Sequence, residues 1–115
     1  SRQNPKIAAK HAELNQLEAE REALSREHTQ QLEDELADYE RLNRSVNRNQ
    51  ESLLPLAKEK VELTMASYRS GKGDLKSVVA ARRELIEARL KQIDVEEQRA
   101  LTSARLYFSY GESAQ

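Results

Sequence analysis

The side chains best equipped for chemistry are two histidines, His11 and His28, and a large set of carboxylates. Seventeen residues separate the histidines. On one helix that is about 25 Å, too far for both to hold one metal ion. His28 falls on an apolar seam, where facing a partner helix is the simpler role. There are no cysteines, so disulfides and thiolate metal sites are excluded. The carboxylate runs Glu33-Asp34-Glu35 and Glu96-Glu97 could form a catalytic pair only in a pocket that raises one pKa. Long helices offer no such concavity, so these runs read as solvated faces. No serine or threonine sits beside a plausible base. Gly71-Lys72-Gly73 lacks the spacing and the preceding strand of a phosphate-binding loop. Arg82-Arg83 reads as an exposed pair whose aliphatic stems cover the seam, or else as a contact for an acidic partner helix. No catalytic, cofactor-binding or metal site is expected, and the chain is expected not to be an enzyme.

The composition says what must position these residues. Of 115 residues, 34% are charged and 37% apolar, with three glycines and two prolines. That is too little apolar material for a conventional globular core. It suits long amphipathic helices that bury one stripe and solvate the rest. β-Branched and aromatic residues are sparse, which argues against a sheet. A net charge of −1 gives no electrostatic case for nucleic acid, which wants a clustered basic face. No apolar run approaches the ~20 residues of a membrane-spanning helix, and no signal peptide is present. The start at Ser1-Arg2-Gln3-Asn4-Pro5 reads as a segment excised from a larger protein.

Asn4-Pro5 opens a helix, with Asn capping and Pro in the first turn. Apolar residues then recur at Ile7, Leu14, Leu17, Leu24, Leu32, Leu36, Tyr39, Leu42, Val46, Leu53, Leu56 and Leu63. Steps of mostly three and four mark a coiled-coil seam. The run of fours from Leu24 through His28, Leu32 and Leu36 is a stutter. Glu22→Arg26, Glu40→Arg44 and Glu87→Lys91 stand in the favourable i,i+4 order on the solvated face. Pro55, after the weakly helical stretch 43–50, either kinks the first helix or breaks it in two. The unbroken apolar phase through Leu53 and Leu56 favours a kink.

Ser70-Gly71-Lys72-Gly73-Asp74 is the clearest boundary. Gly71 can end a helix in the left-handed conformation, Arg69 and Lys72 suit the negative end of its dipole, and Asp74 can cap the next helix. A second stripe follows: Leu75, Val79, Arg82, Ile86, Leu90, Ile93, Glu97, Leu101, Ala104 and Phe108. Gly111 reads as its C-terminal cap. The expected fold is all-α: a long antiparallel coiled-coil hairpin with helix 5–69, turn 70–74 and helix 75–110. Opposed residue numbers should total about 143–144, placing Val79 near Thr64, Ile86 near Ala57 and Ala104 near Tyr39. The hairpin should be about 50 Å long. Residues 6–34 should overhang it, exposing Leu14, Leu17 and Leu24. In isolation, such a chain is expected to dimerise antiparallel through that overhang.

The residues Tyr68-Arg69-Ser70-Gly71 followed by Asp74-Leu75-Lys76-Ser77-Val78-Val79-Ala80-Ala81-Arg82 resemble the outer-membrane factor family, the TolC-like exit ducts of Gram-negative efflux and secretion systems. The stretch runs on to Arg105-Leu106-Tyr107 and Gly111. Leu53-Leu54-Pro55-Leu56-Ala57-Lys58-Glu59-Lys60-Val61-Glu62-Leu63 is similar to the heavy-metal branch of that family. Asn4-Pro5-Lys6-Ile7 is similar to the point where a long helix leaves a barrel strand. The resemblance covers nearly the whole chain through short motifs. It implies a periplasmic α-barrel segment of a trimeric outer-membrane duct, a passive export route for heavy-metal cations, with an inner-membrane pump supplying the energy. It also implies that the hairpin tip docks to a periplasmic adaptor. The residues so implied in partner contact are Tyr68, Arg69, Ser70, Gly71, Lys72, Gly73, Asp74 and Leu75. Several relatives carry aspartates just after the turn. The matching positions here are Ser77 and Ala80, which puts an acidic constriction at the duct mouth in doubt.

Two other readings of a hairpin stand beside this one. Adaptor hairpins carry Arg, then Leu seven residues on and Ser four further. From Arg69 those positions hold Lys76 and Ala80, so that pattern fails. A generic coiled-coil scaffold is the other.

Overall fold

The computed structural model describes residues 4–113. Helix α1 runs Pro5–Arg48, a five-residue π-helical turn follows at Asn49–Leu53, α2 runs Leu54–Arg69, and α3 runs Leu75–Ser113. No strand occurs among the described residues. The molecule, overhang included, is a rod 103 Å long and 23 by 15 Å across.

Local chemistry explains the elements. Asn4 caps α1 by accepting from the Lys6 amide at 3.1 Å, and Pro5 occupies the first turn. Neither Gly nor Pro follows until Pro55, so nothing interrupts 44 residues of α1. The Leu54 amide then donates to the Asn49 carbonyl, five residues back. This widened turn comes immediately before Pro55, whose ring would crowd the carbonyl four residues earlier in a regular helix. The first helix therefore continues through Pro55 by absorbing one extra residue.

That extra residue resets the phase. From α1 into the first residue of the π-turn the inward positions are His28, Leu32, Glu35, Tyr39, Leu42, Val46 and Asn49, in alternating steps of four and three. A regular helix would continue to Leu53, Leu56, Lys60 and Leu63. The π-turn instead brings Leu54, Ala57, Val61 and Thr64 inward and leaves Leu53, Leu56 and Leu63 exposed. The expectation of an unbroken apolar phase through Leu53 and Leu56 is corrected here.

The return helix differs by one position as well. Its inward residues are Val78, Ala81, Leu85, Ala88, Gln92, Val95, Arg99, Thr102, Leu106 and Ser109, a strict three–four repeat. The stripe expected inside, from Leu75 through Val79, Ile86, Leu90, Ile93 and Leu101 to Phe108, faces solvent; Ile93 is 62% exposed. Val79, Ile86, Leu90 and Ile93 thus form a second apolar stripe turned away from α2, while the inner one mixes Val78, Leu85, Val95 and Leu106 with alanines and polar side chains.

The antiparallel register stands close to expectation. Lys60 meets Glu84 at 2.9 Å, Glu35 meets Ser109 at 2.9 Å, Asn43 meets Arg99 at 2.8 Å and Asn49 meets Gln92 at 2.7 Å. Opposed residue numbers thus total between 141 and 144. The facing pairs differ: Val78 rather than Val79 is buried, and Ile86 is exposed. The α3 helix passes through Gly111 to Ser113, so Gly111 is a helical residue and not a cap. Its φ is not positive, unlike that of Gly71. With 39 residues, α3 spans about 58 Å and reaches back to His28, shortening the overhang to roughly residues 5–27. There Ile7, Leu14, Leu17 and Leu24 are exposed, Leu24 at 65%.

Among the described residues the ion pairs are Lys60–Glu84 and the exposed Arg41–Asp38 at 3.8 Å. The three expected i,i+4 pairs do not close. Glutamine–carboxylate pairs at the same spacing do, among them Gln30–Asp34 and Gln98–Asp94, both at 2.9 Å.

Candidate functional site

The chain reverses between Arg69 and Leu75, and backbone chemistry dictates how. Gly71 has φ +79°, a conformation that strains a residue bearing a Cβ. Its amide donates to the Tyr68 carbonyl at 3.1 Å, and the Lys72 amide donates to the Ser67 carbonyl at 2.9 Å. These are the two bonds of a Schellman stop. The Gly73 amide shares the Ser67 carbonyl at 2.9 Å. A Cβ added to Gly73 would lie 2.9 Å from the Ser67 Cβ, so this glycine is required by close approach. The Ser70 hydroxyl donates to the same Ser67 oxygen at 3.0 Å. Asp74 then caps α3, its Oδ1 accepting from the Ser77 amide at 2.9 Å. The Ser77 hydroxyl and then its amide hold the Asp74 carboxyl below the ordinary aspartate value.

The eight sequence-derived site residues, Tyr68 to Leu75, therefore sit together at one end of the rod and are exposed. Their side chains serve two flanks. Arg69 borders a shallow groove along α2 with Val61, Glu62, Met65 and Ala66. Leu75 borders another along α3 with Lys76, Val79, Ala80 and Arg83. Neither Arg69 nor Lys72 forms an ion pair among the described residues. The tip thus offers an exposed Tyr and Leu and two cations on a rigid turn. Ser77 is occupied in capping, and Ala80 faces the α3 groove.

Away from the tip, the inner seam holds features that hydrophobic periodicity did not single out. Asn49 is 2% exposed. Its Nδ2 donates to the Ala88 carbonyl at 3.1 Å and to Gln92 Oε1 at 2.7 Å, while its Oδ1 is buried without a partner. Gln92 donates onward to Glu96 at 2.6 Å. The signal was present in the sequence as polar residues in an unbroken heptad. It was hidden because the neighbouring stripe is more apolar. Among the described residues no three His, Asp or Glu side chains gather as a metal site, and no helix is long and apolar enough to cross a membrane.

No protein family, curated protein or solved structure matches the chain.

Proposed function

We propose that this hairpin is a wall segment of a periplasmic helical duct, the α-barrel part of an outer-membrane efflux channel for heavy-metal cations, with its tip docking to a periplasmic adaptor. One observation carries the reading: α3 has a second apolar stripe, Val79, Ile86, Leu90 and Ile93, on the side away from its hairpin partner. A helix needs two stripes only when it has neighbours on two sides, and a closed wall of helices supplies them. The overhang's exposed Ile7, Leu14, Leu17 and Leu24 fit the same arrangement, with a further helix of the larger protein alongside. The likeness of Tyr68-Arg69-Ser70-Gly71 and the residues after Asp74 to outer-membrane factors supplies the cargo class and the adaptor.

In this reading the duct is passive, and the tip works by recognition. Arg69 and Lys72 form no ion pair among the described residues and sit on a turn pre-organised by Gly71 and Gly73. Pre-organisation lowers the ordering cost of docking. The test is the double variant Arg69→Glu/Lys72→Glu in the complete reading frame. Both side chains are exposed, so stability should change by no more than about 0.5 kcal/mol. Metal resistance of the host should fall at unchanged protein level. Wild-type resistance in the double variant would remove the tip charges from docking.

A further inference from the structure

We propose that the π-helical turn at Asn49–Leu53 is a register switch, which lets α2 present either of two apolar stripes to α3. The two stripes lie one residue apart. In the observed state Leu54, Ala57, Val61 and Thr64 face α3. If the same residues wound as a regular helix through Asn49–Leu53, the phase set by Leu42, Val46 and Asn49 would bring Leu53, Leu56, Lys60 and Leu63 to the same places. That second set holds three leucines against one, and those three leucines are exposed in the observed state. Either stripe can therefore serve as a seam, and the apolar content alone does not favour the observed one.

Two local features hold the observed register. Pro55 cannot donate a backbone hydrogen bond and crowds the carbonyl four residues before it, so it opposes the regular helix that the second register requires. The α2 flank is also pinned by Lys60, whose Nζ donates to both Glu84 oxygens at 2.9 and 3.0 Å. In the second register Lys60 would turn into the seam and this pair would break. Upstream, Asn49 is bonded to Ala88 and Gln92 and keeps its phase in both states, so α1 is the fixed element. A π-turn is a one-residue insertion within an α-helix, and such turns are frequent at functional sites. Rewinding it as a regular helix would turn α2 about its axis and carry the Tyr68–Gly73 tip with it, while the three leucines leave the outer surface. The proposal rests on the hairpin alone and does not depend on the duct.

Disulfide trapping tests it directly, because the chain has no native cysteine. Thr64→Cys with Val78→Cys reports the observed register, since both positions lie on the seam. Leu63→Cys with Val78→Cys reports the second register. In a glutathione redox buffer the 64/78 pair should close first in the otherwise wild-type chain. Pro55→Ala should raise the closure rate of 63/78 relative to 64/78 by at least about tenfold, because the obstacle to a regular helix is gone. Deleting the exposed Ser52 removes the extra residue itself, so a regular helix should keep Leu54, Ala57, Val61 and Thr64 inward and 64/78 should stay the dominant pair even in the Pro55→Ala background. An unchanged ratio in Pro55→Ala would overturn the switch. So would a dominant 63/78 pair in the Ser52 deletion, since the extra residue would then not be what sets the phase of α2.

Discussion

Exchanging the roles of two residues on α3 tests which of its stripes is the seam. Ala81 is wholly buried against the first helix, whereas Ile86 is 54% exposed. Ala81→Leu adds three carbons at a seam position with no exposed surface. Overpacking of that kind costs about 1–3 kcal/mol. Ile86→Ala removes a side chain that is already half in water and leaves no cavity. Full burial of such a residue is worth about 1.5–3 kcal/mol, so a half-exposed one should lose roughly 1 kcal/mol or less. The assay is urea unfolding followed by circular dichroism at 222 nm. It should be run over a range of chain concentrations, so that association through the outer stripe is separated from hairpin stability. The reasoning requires Ala81→Leu to be the more damaging change at the lowest concentration. If Ile86→Ala costs more than about 2 kcal/mol, as for a core truncation, while Ala81→Leu is neutral, then Ile86 belongs to the seam and the assigned phase is refuted.

Three further expectations follow from single contacts. Asn49→Leu removes two hydrogen bonds, each worth about 0.5–1.5 kcal/mol, but also a buried unpartnered oxygen that costs about 1–3 kcal/mol. Unfolding free energy should therefore stay within about 1 kcal/mol, while disulfide exchange between scanning cysteine pairs should show a broadened register; an unbroadened register would deny Asn49 its role in specificity. Gly73→Ala should destabilise the turn through the Ser67 Cβ at 2.9 Å, and Ser67→Gly should recover part of that loss in thermal melts; an innocuous Gly73→Ala would contradict the turn geometry. The Asp74 carboxyl is lowered by Ser77, so its cap stabilises α3 above the ordinary aspartate value and is lost as pH falls through the lowered folded value. An Asp74→Asn chain should show a flatter acid limb in helix content, and an identical acid limb would mean the cap contributes nothing.

The two helices, the turn and the antiparallel register were legible because each rests on local chemistry. Asn4-Pro5 starts α1, Gly71 and Gly73 reverse the chain, and Asp74 restarts it. The seam of α3 is not legible from apolar content, because two stripes one residue apart carry comparable aliphatic side chains: Val78, Leu85, Val95 and Leu106 inside, Val79, Ile86, Leu90 and Ile93 outside. The phase reset at Asn49–Leu53 was illegible for a related reason: Pro55 marks a disturbance, but a kink, a break and a π-turn all satisfy a missing amide. Gly111 is compatible with a cap by residue type, yet glycine is also tolerated within a helix, at a cost of about 1 kcal/mol, and α3 runs through it. Tyr68 to Leu75 lie together at the end of the rod because a turn is built from consecutive residues. The polar bridges Asn43–Arg99 and Glu35–Ser109 join residues far apart in sequence and emerge only from the fold.

The most direct test of the proposed function is site-specific photo-crosslinking in cells that express the complete reading frame. A photoreactive residue placed at Tyr68, exposed beside the turn, should capture a periplasmic adaptor protein. The same residue at Ile93, on the outer stripe of α3, should crosslink within the duct protein itself. Adducts of those two kinds from the two positions are what a helical wall with a docking tip requires. No adduct to any periplasmic protein from position 68, with position 93 equally unreactive in a folded and expressed protein, would contradict it.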